Sequence, residues 1–104
     1  MISSQQSAWG FVKERLLAGM VIRNWTAKHG YIDGSFVIRE INSHSVRVEP
    51  PQGRVVSAAD FETIGQMWSG YLAGHFNRPA LRNVSHNSQY VISILHQFGY
   101  QQLD

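Results

Sequence analysis

"SAADFETIGQMWSGYLA", residues 57–73, carries the strongest periodic signal in the chain. Ser57 followed by Asp60 has the pattern of a capping box at the start of a helix. Apolar side chains then recur every three or four residues, which places them on one helical face. They are Phe61, Ile64, Trp68, Tyr71 and Leu72. We therefore predict a helix over residues 57–73 whose apolar stripe lies at the centre of the core.

Helical spacing also occurs near both ends of the chain. A C-terminal helix is predicted to begin near Ser85 or Asn87 and to end at Gly99, with one further helical turn around residues 77–79. The side chains expected on the buried face of the C-terminal helix are Tyr90, Val91, Ile94, Leu95 and Phe98. An N-terminal helix is predicted over residues 4–18, with a serine cap at residue 3 or 4. Its buried face is expected to comprise Trp9, Val12 and Leu16.

Four strands are predicted between these helical regions, over residues 20–26, 35–41, 46–49 and 54–56. The segments that join them, residues 27–34, 42–45 and 50–53, contain the glycine, proline and asparagine residues typical of turns. Because consecutive strands with short connections usually pair with each other, we predict a mostly antiparallel meander, with a curled sheet as the alternative. The whole chain, residues 1–104, is then a single α+β domain with two C-terminal helices packed on the sheet.

Apolar residues occur side by side on three of these strands, although adjacent strand residues point to opposite faces of a sheet. Both faces therefore need apolar cover. The helices cover one face and part of the other, and either a second subunit or curling of the sheet covers what remains. Since homodimers are common among soluble proteins, we predict self-association. The residues in question are Val21, Ile22, Phe36, Val37, Ile38, Val55 and Val56.

The composition excludes several classes of protein. The 104 residues include no cysteine, which excludes disulfides, thiolate metal sites and a cysteine nucleophile. The first residues lack the pattern of a signal peptide, and no apolar run approaches the roughly 20 residues needed to cross a bilayer. We therefore expect a cytoplasmic protein without a membrane partner. The net charge of +2 is only weak support for an anionic partner.

"VIRNWTAKHGY", residues 21–31, interleaves basic and aromatic side chains, as nucleic-acid surfaces do. The possible contact residues are Arg23, Trp25, Lys28, His29 and Tyr31. In the structural interpretation, which we favour, Trp25 packs inside and Arg23 lies near an edge of the sheet. In the alternative, the two form an exposed platform that stacks on bases. Nucleic acid is thus a possible but not a favoured partner.

A second candidate site lies at the start of the C-terminal helix. Exposed amide groups at a helix N-terminus attract anions, and two arginines four residues apart precede this one. The predicted anion- or ligand-binding residues are Arg78, Arg82, His86, Asn87 and Tyr90. Helix capping alone also explains the serine and asparagine residues there.

No catalytic, cofactor or metal site is predicted. The five histidines lack the spacing of a helical zinc site, and the chain has neither a nucleophile elbow nor a Walker loop. Two sets of side chains keep other activities open. Asp33, His29 and Tyr31 form an acid–base group only if the fold assembles them. Three strand arginines, Arg39, Arg47 and Arg54, are read as part of a solvated face with mixed charges.

The pattern "IRNWT…G…F.I…V.V" followed by "W..YL.G…R..L…S.NS.YVISIL" resembles small single-domain α+β bacterial proteins encoded on mobile elements, including integron gene cassettes. The resemblance covers residues 21–95 and implies an accessory role. We predict a noncatalytic binding module that acts as a homodimer and recognises a protein, a small molecule or nucleic acid. The alternatives are a nucleic-acid-binding domain with a basic sheet or loop surface, and a small enzyme with a spatially assembled polar site.

Overall fold

A computed structural model describes residues 7–50 and 52–102 as an α+β fold. The strands, in chain order, are β1 Val21–Thr26, β2 Gly30–Ile41, β3 Ser45–Glu49 and β4 Arg54–Ser57. The helices are α1 Ala8–Lys13, α2 Ala58–Gly65, α3 Trp68–Leu72, α4 Arg78–Val84 and α5 Ser88–Gln97. All neighbouring strands are antiparallel in the order β1-β2-β3-β4, which confirms the predicted meander. None of the helices in this part of the chain is long and apolar enough to cross a membrane.

The N-terminal helix is shorter than predicted. α1 ends at Lys13, and the backbone N–H of Arg15 bonds to the carbonyl of Val12 in a tight turn. Residues 14–18 are therefore not helical, and Gly19 instead donates to the carbonyl of Ile38 on β2. The predicted cap at residue 3 or 4 lies outside the described residues; the cap of α1 is the Ser7 side chain.

The helix predicted over residues 57–73 is two helices, α2 and α3. Ser57 and Asp60 form the predicted capping box at its start. At the break, Met67 donates to the carbonyl of Ile64, three residues back, so the helical ladder is interrupted. A methyl group at Gly65 would lie 2.6 Å from the Cβ atom of Ala8, so the end of α2 has room for a glycine alone against α1.

The sheet begins its second strand earlier than predicted. β2 starts at Gly30, so only residues 27–29 form the turn, and Tyr31 lies on a strand opposite Trp25. Register shifts interrupt both sides of β2. The shift between Ile38 and Glu40 places Ile38 and Ile41, three residues apart, opposite the buried Val48 and Val46 of β3.

α5 lies in the middle of the hydrophobic core. Residues 91–95 are all buried, so the helix is covered around its whole circumference and not on one face alone. It packs against β1 and against α1, α2 and α4. Its side chains also cover the outer edge of β1: Ser93 Oγ accepts from Trp25 N–H, and Gln89 donates to the Trp25 carbonyl. This edge is thereby protected from pairing with another strand.

The core contains most of the predicted apolar stripes, although Tyr90 and Phe98 of α5 are only partly buried against it. Phe61, Ile64, Trp68 and Tyr71 are buried, whereas Leu72, the fifth member of the stripe, is 49% exposed. The adjacent apolar pairs on the strands separate by face: Ile22 and Val56 are buried, while Val21 and Val55 are exposed. The sheet does not close into a barrel. Its second face is therefore open, with Val21, Val55 and several charged side chains in contact with solvent.

Candidate functional site

A pocket of about 680 Å³ lies between the β1–β2 turn and the segment that joins α3 to α4. Its walls come from two stretches of chain that are far apart in sequence, one ending at Ile32 and the other beginning at Tyr71. The first stretch contributes Thr26, Ala27, Lys28, His29 and Ile32, and the second contributes Tyr71, Leu72, Gly74, Phe76, Asn77, Arg78 and Pro79. Ligand pockets in proteins commonly have volumes of roughly 300–1,000 Å³, so this one has room for a small organic molecule.

One hydrogen bond closes the β1–β2 turn, and another joins the turn to the second wall of the pocket. Thr26 Oγ1 accepts from the backbone N–H of His29 and closes the turn at a distance of 3.1 Å. The backbone N–H of Ala27 donates to Tyr71 Oη at 3.0 Å, which ties the turn to α3. Thr26 and Tyr71 are both buried, and the two bonds are partly buried. The β1–β2 turn is therefore tied to α3 beside the pocket.

Phe76 forms an apolar part of the second wall. Its ring lies directly against the backbone of Gly70, where a Cβ atom would be only 2.5 Å from Phe76 Cε2. A side chain at position 70 would displace this ring. Phe76 stays 38% exposed, and Leu72 beside it on the wall is also exposed. The wall thus presents apolar surface to whatever enters the pocket.

The charged groups of the pocket are all basic. Lys28 and Arg78 line it, His29 adds an imidazole ring, and no carboxylate is among the lining residues that the structure describes. Arg78 is half-buried, and within residues 7–50 and 52–102 its guanidinium has neither a hydrogen-bond acceptor nor an ion-pair partner. Burial and the nearby charge of Arg82 lower the pKa of Arg78, although Tyr71 partly opposes this. The charge of Arg78 is therefore uncompensated by the described protein.

The other residues predicted with Arg78 do not line this pocket. Arg82 and His86 are exposed. Tyr90 donates its hydroxyl to the Pro50 carbonyl at 3.2 Å. The Asn87 amide donates to the Val55 carbonyl and to Asp60, and it accepts from Arg54. Asn87 therefore connects structural elements, and its side chain is fully engaged within the protein.

The start of α5 already has an anionic neighbour from the chain itself. The Asp60 carboxylate accepts from Ser57, from the Ser85 hydroxyl at 2.8 Å and from Asn87 at 3.0 Å. Burial would raise the pKa of Asp60, but these hydrogen bonds to Asn87, Ser57 and Ser85 outweigh it, and the pKa is lowered. An external anion at the start of α5 would face this ionised carboxylate.

The basic and aromatic residues of 21–31 separate into two groups. Lys28 and His29 lie on the rim of the pocket. Arg23 is exposed and stacks on the exposed Tyr31, with its guanidinium carbon 4.3 Å from the ring centroid. Trp25 is half-buried and stacks on the His96 ring at 3.8 Å, nearly parallel. Trp25 thus packs against the core side of the structure, as in the structural interpretation, and Arg23 is in solvent.

The remaining charged residues show no catalytic or metal-binding arrangement within the described ranges. No group of three histidine or carboxylate side chains there is placed to hold a metal ion. Asp33, His29 and Tyr31 make no hydrogen bonds to one another in this part of the chain. On the sheet, Arg39 pairs with Glu49 at 2.9 Å and Arg47 pairs with Glu40 at 3.4 Å. These pairs form the solvated face with mixed charges that the sequence predicted for Arg39 and Arg47. The prediction is wrong for Arg54, which is half-buried, lies opposite the buried Val48 and donates to Asn87 at 3.2 Å.

The fold and pocket define an α+β domain with a concave, basic ligand-sized site. Comparison of the chain with family models, curated proteins and solved structures gives no match. The resemblance to cassette-encoded proteins therefore stays a prediction. Nine of the pocket's twelve described lining residues were absent from the predicted sites, among them the apolar Ile32, Leu72, Phe76 and Pro79. The exposed apolar pair Leu72 and Phe76 gives no local signal by itself, because its partners come from the distant turn.

Proposed function

We propose that the protein is a noncatalytic binding module whose pocket holds a small organic ligand. The observation that carries the proposal is the pocket between the β1–β2 turn and the α3–α4 segment, with apolar walls and two cationic side chains. Concave sites that combine apolar surface with a few polar groups are the usual form of small-molecule sites. The described lining residues contain no hydrogen-bonded pair of nucleophile and base, and we therefore propose binding without chemistry.

Two substitutions of alanine by phenylalanine test this proposal. Ala27 lines the pocket and is exposed, so Ala27→Phe fills the pocket without burying new surface in the core. Ala59 is also exposed but lies on α2, so Ala59→Phe is the matched control. Benzamide, a neutral probe, is titrated into nitrogen-labelled protein, and the backbone amide shifts are followed by NMR. We expect shifts at residues 27–32 and 71–78 in the wild type and in Ala59→Phe, and their loss in Ala27→Phe.

We also propose that the module acts as a homodimer through the open face of the sheet. Val21 and Val55 are 57% and 51% exposed on this face, and Val37 lies between β1 and β3 beside Val21. The Arg39–Glu49 and Arg47–Glu40 pairs give the face equal numbers of positive and negative charges. A two-fold axis brings the same surface of each subunit together, so a face with both signs can pair with itself. An accessory role, which rests on the resemblance of residues 21–95, and a cytoplasmic location, which rests on the sequence pattern, are part of the same proposal.

A further inference from the structure

We propose that the pocket selects an organic anion, with an apolar body and a carboxylate or phosphate group held by Arg78 and Lys28. This inference rests on the proposed binding function and names its ligand class. The observation behind it is a half-buried arginine in a pocket wall whose described residues include no carboxylate.

The described residues do not compensate the charge of Arg78. Partial burial of a cation is costly unless a counter-charge or hydrogen-bond acceptors compensate for the lost water. Arg78 has no such partner among the described residues, and its Nε atom is sealed from solvent without an acceptor. The two terminal Nη nitrogens are not sealed, so they are the atoms that can donate to a ligand. A carboxylate or phosphate can accept from both nitrogens and supply the missing charge.

The protein's own acidic side chains would compete with a ligand for Arg78 if they paired with it. Asp60 and Glu62 are the acidic residues nearest to Arg78 and Arg82 in the sequence. The Asp60 carboxylate is engaged by Ser57, Ser85 and Asn87. The Glu62 carboxylate accepts from the backbone N–H groups of residues 8 and 9 at 3.2 and 3.1 Å, at the start of α1. Both acids have structural tasks elsewhere, which leaves the cations of the pocket for an external anion.

The apolar part of the pocket lining favours a ligand with an apolar body. The pocket walls also contain Ile32, Leu72, Phe76 and Pro79. An inorganic anion would leave these surfaces in contact with water, whereas a ligand with an apolar or aromatic body covers them and gains the hydrophobic contribution. The Phe76 ring, held against Gly70, offers an aromatic surface for such a body.

The experiment compares matched probes on the full chain by NMR titration of backbone amides. Benzoate and benzamide have the same shape and differ in charge, and phenyl phosphate and inorganic phosphate differ in the apolar body. We expect benzoate to bind at least about tenfold more tightly than benzamide, since charge-assisted hydrogen bonds are stronger than neutral ones. Phenyl phosphate should likewise exceed inorganic phosphate. The stronger of benzoate and phenyl phosphate identifies whether a carboxylate or a phosphate is preferred.

Two arginine variants assign the contact. Arg78→Gln should reduce the benzoate affinity about tenfold and remove its advantage over benzamide. Arg82→Gln, on the same helix but outside the pocket, should retain most of that advantage. Far-ultraviolet circular dichroism checks that both variants are folded, and Lys28→Gln provides an independent test on the opposite wall.

Equal binding of benzoate and benzamide at the pocket amides would overturn the anion inference and leave the binding function standing. Equal binding of inorganic and phenyl phosphate would overturn the requirement for an apolar body. If no probe shifts the amides of residues 27–32 and 71–78, the binding function and the inference are both overturned.

Discussion

Removal of the Trp68 side chain should be among the most damaging single changes in this protein. Trp68 is 2% exposed, its indole Nε1 donates to the Tyr100 carbonyl at 2.9 Å, and its ring packs near Trp25 and Tyr71. Truncation of a buried tryptophan to alanine costs about 3–5 kcal/mol, because apolar contacts are lost and a cavity remains. The lost hydrogen bond accounts for about 1 kcal/mol of this cost. We therefore expect about 4 kcal/mol for Trp68→Ala.

Urea denaturation followed by circular dichroism measures this free energy of unfolding. Small domains are stable by only about 5–15 kcal/mol, so Trp68→Ala leaves little margin and is compared with a milder variant, Trp68→Phe. Trp68→Phe retains much of the apolar contact but loses the bond to Tyr100, and should cost about 1–2 kcal/mol. Leu17→Ala is the control, since Leu17 is 66% exposed and its loss should cost less than about 0.5 kcal/mol. A cost below about 1 kcal/mol for Trp68→Ala would refute the central position of this side chain.

Three further predictions concern pH, association and nucleic acid. Burial lowers the pKa of His96 below its ordinary value of 6.5, so the unfolded chain binds more protons in the range below that value. Stability should therefore fall as the pH drops below 6.5, and urea titrations should show a weaker fall for His96→Phe. In sedimentation equilibrium at micromolar concentration the mass should be near twice 11.8 kDa; Val55→Lys should give monomers and Val84→Lys, an equally exposed valine on α4, should not. A monomeric wild type would contradict the dimer. Fluorescence anisotropy with mixed-sequence DNA at about 0.15 M salt should show no submicromolar binding, because a net charge of +2 offers few phosphate contacts. Submicromolar binding that Lys28→Ala weakens without unfolding the protein would support the nucleic-acid alternative instead.

The fold could be predicted from local patterns wherever those patterns act within one element. The capping box of Ser57 and Asp60 and the turns after β2 and β3 depend on neighbouring residues, and the structure contains them near the expected positions. The break between α2 and α3 was not predicted. Phe61, Ile64, Trp68 and Tyr71 keep helical spacing across it, so periodicity alone indicates one helix. The close approach of Ala8 to Gly65 comes from the distant α1, and sequence spacing carries no information about it.

The parity of the first strand shows the same limit. A regular strand places Arg23 and Trp25 on one face, so burial of one implies burial of the other. In the structure the pairing with β2 shifts between these two residues, Trp25 stacks on His96, and Arg23 is exposed. The shift changes the local geometry of the edge strand, which α5 covers through Ser93. The alternation of apolar and polar residues along a strand cannot reveal this register shift, because the shift changes only which residues of β1 and β2 pair with each other.

The candidate site could not be predicted from the sequence because its lining residues come from two distant segments. From the sequence, Lys28 belonged to a nucleic-acid surface and Arg78 to an anion site at the start of the last helix. Both residues were predicted as possible contacts to an anion, but the two were assigned to different ligands because fifty residues separate them. The bond from the Ala27 N–H to Tyr71 Oη brings the two segments together around one pocket. Tyr71 belongs to the apolar stripe that predicted the helix, so the same side chain that fills the core also positions the pocket. A variant that retains the ring and removes only the hydroxyl, Tyr71→Phe, separates these two tasks: it should leave the core intact and loosen the turn that carries Lys28.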